Sequence, residues 1–208
     1  MNKSVNLIAL SLLLSGCGPK YEDGSHLHLY AGTGIKGVLE IGMTHDDVRR
    51  RTRDLVVHKG ELLPWEYEVP SLGASWQSGG ACSNDPLGIF VVFVGPASGG
   101  PRFNGWFESL ALTNGTVITE DQVRHLFGEP NIEYNLSVIA PERAQQTYNS
   151  VMAAMKTNLH SSVICWPGEA NHLLTYPTRG VFFSCISNTV YAIGIGRPAE
   201  QGHPTGRR

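Results

Sequence analysis

Two short helix starts constrain this chain more than anything else in it. Gly42-Met43-Thr44-His45-Asp46-Asp47-Val48-Arg49 returns in altered form as Val117-Ile118-Thr119-Glu120-Asp121-Gln122-Val123-Arg124. Thr44 answers Thr119, Asp46 answers Asp121, Val48 answers Val123 and Arg49 answers Arg124. Thr44 and Thr119 are good N-caps, with Asp47 and Gln122 at N3 to close a capping box. Met43 with Val48, and Ile118 with Val123, are spaced as hydrophobic staples. Acids in the first turn and arginines later suit the helix dipole. The pattern predicts an α+β chain of two tandem units, each a capped helix followed by antiparallel strands.

The first unit spans 38–112. Its helix is expected to end around Asp54, and Arg49, Arg50, Arg51 and Arg53 read as a solvated face, with a binding face as the alternative. Pro64–Val69 alternates, placing Trp65, Tyr67 and Val69 on one side and Glu66 and Glu68 on the other, as a half-buried strand does. The two glutamates read as a solvent-facing row rather than the carboxylate pair of a glycosidase. Ser71–Asp85 reads as a Gly/Ser loop carrying Trp76 and Cys82. Leu87–Val94 is a continuous apolar run, expected to be a strand covered on both faces. Trp106–Leu112 reads as one further strand with Trp106, Leu110 and Leu112 inward and Glu108 breaking the pattern.

The second unit spans 113–197. Val123, Leu126 and Phe127 form the buried stripe of its helix, and Gly128 and Pro130 stop it. An inserted helix is predicted over Pro141–His160, with Ala144, Tyr148, Val151, Met152, Met155 and Leu159 on one face. Strands are predicted at Ser162–Trp166, Leu173–Tyr176, Gly180–Ser187 and Val190–Ile195. Gly180–Ser187 matches Gly88–Gly95, and Ile193 and Ile195 match Leu110 and Leu112. Residues 198–208 are Gly/Pro-rich and are expected to be a disordered tail.

The chain begins with Lys3 and an apolar run from Val5 to Leu14, too short to span a bilayer as a helix and typical of an export signal. Its end, Leu14-Ser15-Gly16-Cys17, resembles the lipobox of bacterial lipoproteins. That resemblance implies a signal peptide at 1–16, removed before Cys17, and a mature N-terminus anchored by acyl chains (palmitate among them) on Cys17. An ordinary cleaved signal with a chance cysteine is the alternative. By the sorting rule of enterobacterial lipoproteins, Gly18 in place of Asp implies the outer membrane, facing the periplasm. Residues 17–37 read as a flexible tether in which His26 and His28 are solvated. With Cys17 lipidated, Cys82, Cys165 and Cys185 remain, and Cys165 with Cys185 is the expected disulfide.

Ile41-Gly42-Met43-Thr44-His45-Asp46-Asp47-Val48 looks like the helix-start motif of outer-membrane lipoproteins of the BamE/SmpA type. It is also similar to the repeats of β-lactamase-inhibitor-like proteins. Val123-Arg124-His125-Leu126-Phe127-Gly128-Glu129-Pro130 matches the rest of that motif. The resemblance covers about 20 residues beyond the lipobox and implies helices on one face of a curved antiparallel sheet. It departs at Arg53-Asp54-Leu55, where the first unit lacks the Gly-x-Pro stop.

A formal net charge of −2 with dispersed signs offers no basic stripe, so no nucleic-acid partner is expected. No Gly-x-Ser-x-Gly, His-Glu-x-x-His or Cys-x-x-Cys occurs, so neither catalysis nor a metal or cofactor is expected. The reading that remains is a scaffold or assembly lipoprotein holding another envelope protein through a broad, flat patch. The alternative is an inhibitor or immunity-type lipoprotein that blocks an enzyme through a protruding loop with aromatic anchors, for which Gly95–Trp106 and Trp65–Trp76 are the candidates. Trp65, Trp76 and Trp106 are the expected partner-binding residues.

Overall fold

The computed structural model describes residues 27–58, 65–78, 86–95, 102–113, 116–135 and 172–199. The expected signal with Cys17, the segment around Cys82, the helix expected over Pro141–His160, the strand expected over Ser162–Trp166 with Cys165, and the residues beyond 199 lie outside them. The described chain is α+β and mostly strand, with two helices and two sheets. Among the described residues no helix is long and apolar enough to cross a membrane.

Both helix starts fold as their residues dictate. In α1 (His45–Arg51) the Thr44 side chain accepts from the Asp47 N–H at 3.1 Å, and Asp47 accepts from the Thr44 N–H at 3.0 Å. The Thr44 hydroxyl and N–H together hold the Asp47 carboxyl down to about 2. In α2 (Glu120–Phe127) Thr119 and Gln122 make the same reciprocal pair at 3.3 and 2.9 Å. Val48 and Val123 are fully buried. Helix α2 stops at Gly128, whose φ of 80° favours glycine. Helix α1 stops at Arg51 rather than Asp54. There Thr52 turns extended and spends both its N–H and its hydroxyl on the Val48 carbonyl.

After α1 come β4 (Val56–His58), β5 (Trp65–Val69), a 3-10 turn at Pro70–Leu72 closed by Gly73, β6 (Ala74–Ser78) and β7 (Ile89–Phe93). After α2 come β10 (Ile132–Asn135), β11 (His172–Tyr176), a 3-10 turn at Pro177–Arg179 closed by Gly180, β12 (Val181–Ile186) and β13 (Thr189–Gly196). These eight strands form one antiparallel sheet, ordered β10-β11-β12-β13-β7-β6-β5-β4. Ile89, Phe90, Val91 and Val92 are all buried, as a strand covered on both faces requires.

A second sheet, ordered β3-β2-β1-β8-β9, combines β1 (His28–Tyr30), β2 (Gly34–Ile35) and β3 (Leu39–Glu40) with β8 (Gly105–Phe107) and β9 (Leu110–Leu112). Strands β1 and β8 run parallel; the other neighbours are antiparallel. Its Leu29, Ile35, Leu39 and Phe107 share one buried cluster with Val48 and Val123 of the helices and with Phe90, Val92, Phe183, Ile193 and Ile195 of the large sheet. The small sheet and both helices therefore sit over the same face.

Beyond the earlier stop of α1, further sequence expectations change here. Ser71–Asp85 is not all loop: Ala74–Ser78 forms β6, paired with β5. Residues 27–37 of the stretch read as tether are built into the small sheet, because Leu29 and Ile35 are drawn into the core. Trp106–Leu112 is a tight hairpin rather than one strand: Glu108 takes a φ of 50° and turns the chain. Phe107 thereby becomes the inward residue and Trp106 an outward one. Finally, Gly88–Gly95 and Gly180–Ser187 match in sequence but not in place. Strand β7 is the fourth after α1, whereas β12 is the third after α2. Leu110 and Leu112 likewise lie in the small sheet, while Ile193 and Ile195 lie in the large one.

Gly194 faces Val91 where β7 and β13 meet, and the buried Phe182 ring occupies the space a side chain would need. Gly194→Ala is expected to cost about 2–3 kcal/mol by overpacking, with partial recovery when Phe182→Leu is added; urea titration of the two variants measures both. Thr119→Ala should cost about 1 kcal/mol.

Candidate functional site

Two places collect chemically capable side chains. The first is a charged clasp beneath α2. Glu120, the first residue of that helix, is 8% exposed, and both its oxygens face His172 Nδ1 at 2.8–2.9 Å. Across the ring, His172 Nε2 lies 2.9 Å from Glu133 Oε1. Arg124 reaches the same Glu133 oxygen at 2.9 Å and Glu129 at 2.7 Å. The bond and charge of Glu133, joined by Glu129, raise the Arg124 pKa above its usual value. Cys185 is paired with His172 in the β11–β12 register. Burial, then the charge and hydrogen bond of Glu120, push its thiol well above the ordinary cysteine range. Tyr176 donates to the Gly128 carbonyl at 2.9 Å, and burial pushes its pKa up to about 12.

The clasp is a fastening rather than a reaction centre. Both imidazole nitrogens of His172 are directed at carboxylates, which leaves neither for a metal or a substrate. A buried thiol held protonated is the opposite of an activated nucleophile. Among the described residues no group of three or more His, Cys, Asp or Glu is arranged to hold a metal ion. What the clasp does is join α2 to β10, β11 and β12. Sequence reasoning missed Glu120, Arg124 and Glu133 because each is ordinary locally. Glu120 reads as a first-turn acid, and its partner His172 is 52 positions away.

In the first half the corresponding helix residue, His45, is also buried, but it stacks on Tyr67 at 4.1 Å with an interplanar angle of 16°. Tyr67 in turn stacks on Trp76 at 5.4 Å. Trp76 is 1% exposed, so it is a core residue and not an anchor for a partner. Trp65 lies in β5, with its side chain outside the described ones.

The second place is a row of rings on the outer face of the small sheet. Trp106, 38% exposed, stacks against His28 on the parallel neighbour strand at 6.2 Å and 11°. His28 stacks against Tyr30 at 6.0 Å and 14°. The β1–β8 ladder holds them: Trp106 N–H donates to the Leu27 carbonyl at 2.7 Å and Glu108 N–H to that of Leu29 at 3.0 Å. The Glu108 carboxylate accepts from Ala31 N–H at 2.8 Å and fixes the turn. Of the three expected aromatic anchors, Trp106 alone has a described and exposed side chain. Cys185 is a free thiol; its expected partner Cys165 lies outside the described residues.

No family model, no curated protein and no solved structure matches the chain.

Cys185 and Tyr176 both hold their protons more tightly folded than unfolded. The unfolded chain thus releases protons first, and their contribution to stability is full at neutral pH and declines as pH rises above about 8.5, through 12. Thermal unfolding midpoints should fall across that window, less steeply in Cys185→Ala. Native Cys185 should resist iodoacetamide at pH 8 and react once the chain is denatured, as peptide mass mapping reads. His172→Leu leaves both oxygens of the buried Glu120 side chain without the imidazole they face and is expected to cost about 3 kcal/mol, measured by urea titration.

Proposed function

We propose that this chain is a non-enzymatic envelope lipoprotein, anchored through Cys17 at the periplasmic face of the outer membrane, that holds another envelope protein in a scaffold or assembly role. The observation that carries this reading is the edge strand β4. It closes one end of the eight-stranded sheet, bonds to β5 on one side, and among the described residues has no strand on the other. Its Val56 is 39% exposed. An open edge with an exposed β-branched residue offers backbone groups and an apolar foothold to an incoming strand. The clasp supports the same reading from the other direction, because its reactive groups are turned on one another.

The two halves are copies of one unit on this reading, in the manner of the repeats of β-lactamase-inhibitor-like proteins, whereas a BamE-type lipoprotein usually carries one such unit. Support comes from place rather than from sequence. Met43 accepts from Leu87 N–H at 2.7 Å before α1, and Ile118 accepts from Val190 N–H at 2.8 Å before α2. Gly73 accepts from Phe93 N–H and Gly180 from Gly196 N–H. Both glycines follow a Pro-led 3-10 turn and take a left-handed conformation. At the join, Phe90 opposes Ile195 and Val92 opposes Ile193, pairs that a twofold rotation about Val91–Gly194 exchanges.

The inhibitor alternative asks for a protruding loop with an aromatic anchor. Trp76 is withdrawn from that role by its burial, and Trp106 at the end of the other candidate loop keeps it.

A photoreactive amino acid at position 56, introduced into the full chain in cells, should form an adduct with one envelope protein. Val56→Asp should abolish capture of that same protein while leaving the unfolding midpoint within a degree or two, since surface substitutions cost little. Capture unaffected by Val56→Asp would remove β4 as the site. A soluble enzyme as the adduct would favour the inhibitor.

A further inference from the structure

We infer that the Tyr30–His28–Trp106 row is a bilayer-docking face, on which the protein lies against the headgroup region of the membrane that anchors it. The inference rests on the lipid-anchor reading above and goes beyond it by fixing which side of the protein meets the lipid.

The side chains are the first argument. Indole, phenol and imidazole each present an apolar ring with a polar tip, and Trp and Tyr concentrate where hydrocarbon gives way to headgroups. The three rings lie nearly parallel on one sheet face, at 6.0 and 6.2 Å. The positions paired with the row across the strands carry no charge: Trp106 opposes Ala111 on β9, and Tyr30 opposes Gly34 on β2. The nearest carboxylates are already engaged by backbone: Glu108, two residues beyond Trp106, accepts from Ala31 N–H at 2.8 Å, and Glu40, opposite Gly34, accepts from Gly37 N–H at 2.5 Å. A face whose rings meet the headgroup layer while its flanking carboxylates are held by backbone N–H groups has this composition. A nucleic-acid platform would need cations around the rings, and these positions have none.

The second argument is length. Residues 18–27 separate Cys17 from His28. Fully extended, a chain of that length reaches about 40 Å. The row belongs to the first strand after this segment, so a lipid on Cys17 keeps it permanently within reach of the bilayer. Docking is then an intramolecular step at high effective concentration, and a modest contact suffices to hold it. The consequence is orientation: a protein on a tether would tumble, and a protein resting on three rings presents β4 to the same side throughout.

The test uses the full chain, processed in a bacterial host, purified in detergent and reconstituted into phosphatidylcholine vesicles containing lipid brominated near the top of its acyl chains. Tryptophan emission reads docking, and the mass of the N-terminal peptide reads lipidation separately. The wild type should be partly quenched and blue-shifted, with both effects lost in Trp106→Phe. Ala111→Lys keeps the indole and sets a charge beside it, and should reduce the quenching; circular dichroism checks the fold of each. A lipidated protein whose quenching is the same with and without Trp106 overturns the docking and leaves the anchor standing. An unlipidated protein with no quenching overturns both. An unlipidated protein whose Trp106 is still quenched removes the anchor and keeps the docking face.

Discussion

The pairing of β7 with β13 is the constraint on which the rest of this structure depends. Five residue pairs, from Ala192–Phe93 to Gly196–Ile89, stitch together strands that are far apart in sequence. The segments on which the helices hang adjoin these same strands: Leu87 just before β7 receives α1, and Val190 at the start of β13 receives α2. Helix position is thus set by sheet register. A slip of one residue would turn every side chain of the central strands over and break both docking points together. The small sheet depends on the same join, because Gly32 and Gly196 both donate to the carbonyl of Gly180. A side chain on Gly180 would strike the Gly32 backbone, so that crossing demands glycine. Pairing between distant segments must come first, and such topologies fold slowly because loop closure precedes reward.

Within this frame the two halves solve one local problem in different ways. Each helix begins with a buried polar residue, His45 or Glu120. His45 is accommodated by stacking against Tyr67 and, beyond it, Trp76. Glu120 is a carboxylate, and taking it out of water requires a cation and further hydrogen bonds. His172, Arg124, Glu133 and the Cys185 thiol supply that environment. A buried ion network of this kind adds little net stability over an apolar packing. Its value lies in what it forbids, since α2 and β10 can dock on β11 and β12 in one arrangement only if every charge is to find its partner.

How much of this could be read from the residues depends on the range of the forces involved. Both capping boxes, both staples, the Gly128 stop and the strands at 65–69, 89–93, 172–176, 181–186 and 189–196 follow from local pattern, and they are present. What was illegible is set at long range. Strands β1 and β2 are two or three residues long in a glycine-rich stretch, too short to show a period; Leu29 is buried because β8 lies beside it, 78 positions on at Phe107. Trp76 resembles a loop anchor because Gly and Ser surround it, yet the β5–β6 hairpin carries it into the core. The inward parity of 106–112 fails because Glu108 turns, a conformation its neighbours do not announce. The clasp failed to register because none of its members is unusual until His172 and Glu120 meet.

The two outer edges of the large sheet occupy equivalent places, and their difference indicates how one partner could be chosen. Strand β10 is bound to α2 through Glu133, which Arg124 and His172 hold from one side, and a fixed charge on an edge discourages further pairing. Strand β4 carries Val56, Val57 and His58, and the ion pair it makes among the described residues, His58 with Glu68, is exposed and weak. A chain with two open edges would invite polymerisation, each copy adding to the next. Under the proposed scaffold role, charging one edge and leaving the other apolar would admit a single strand at a single place. The clasp thus has a second consequence beyond seating α2: by fixing charge on β10 it leaves β4, among the described residues, as the edge that the proposed role would extend.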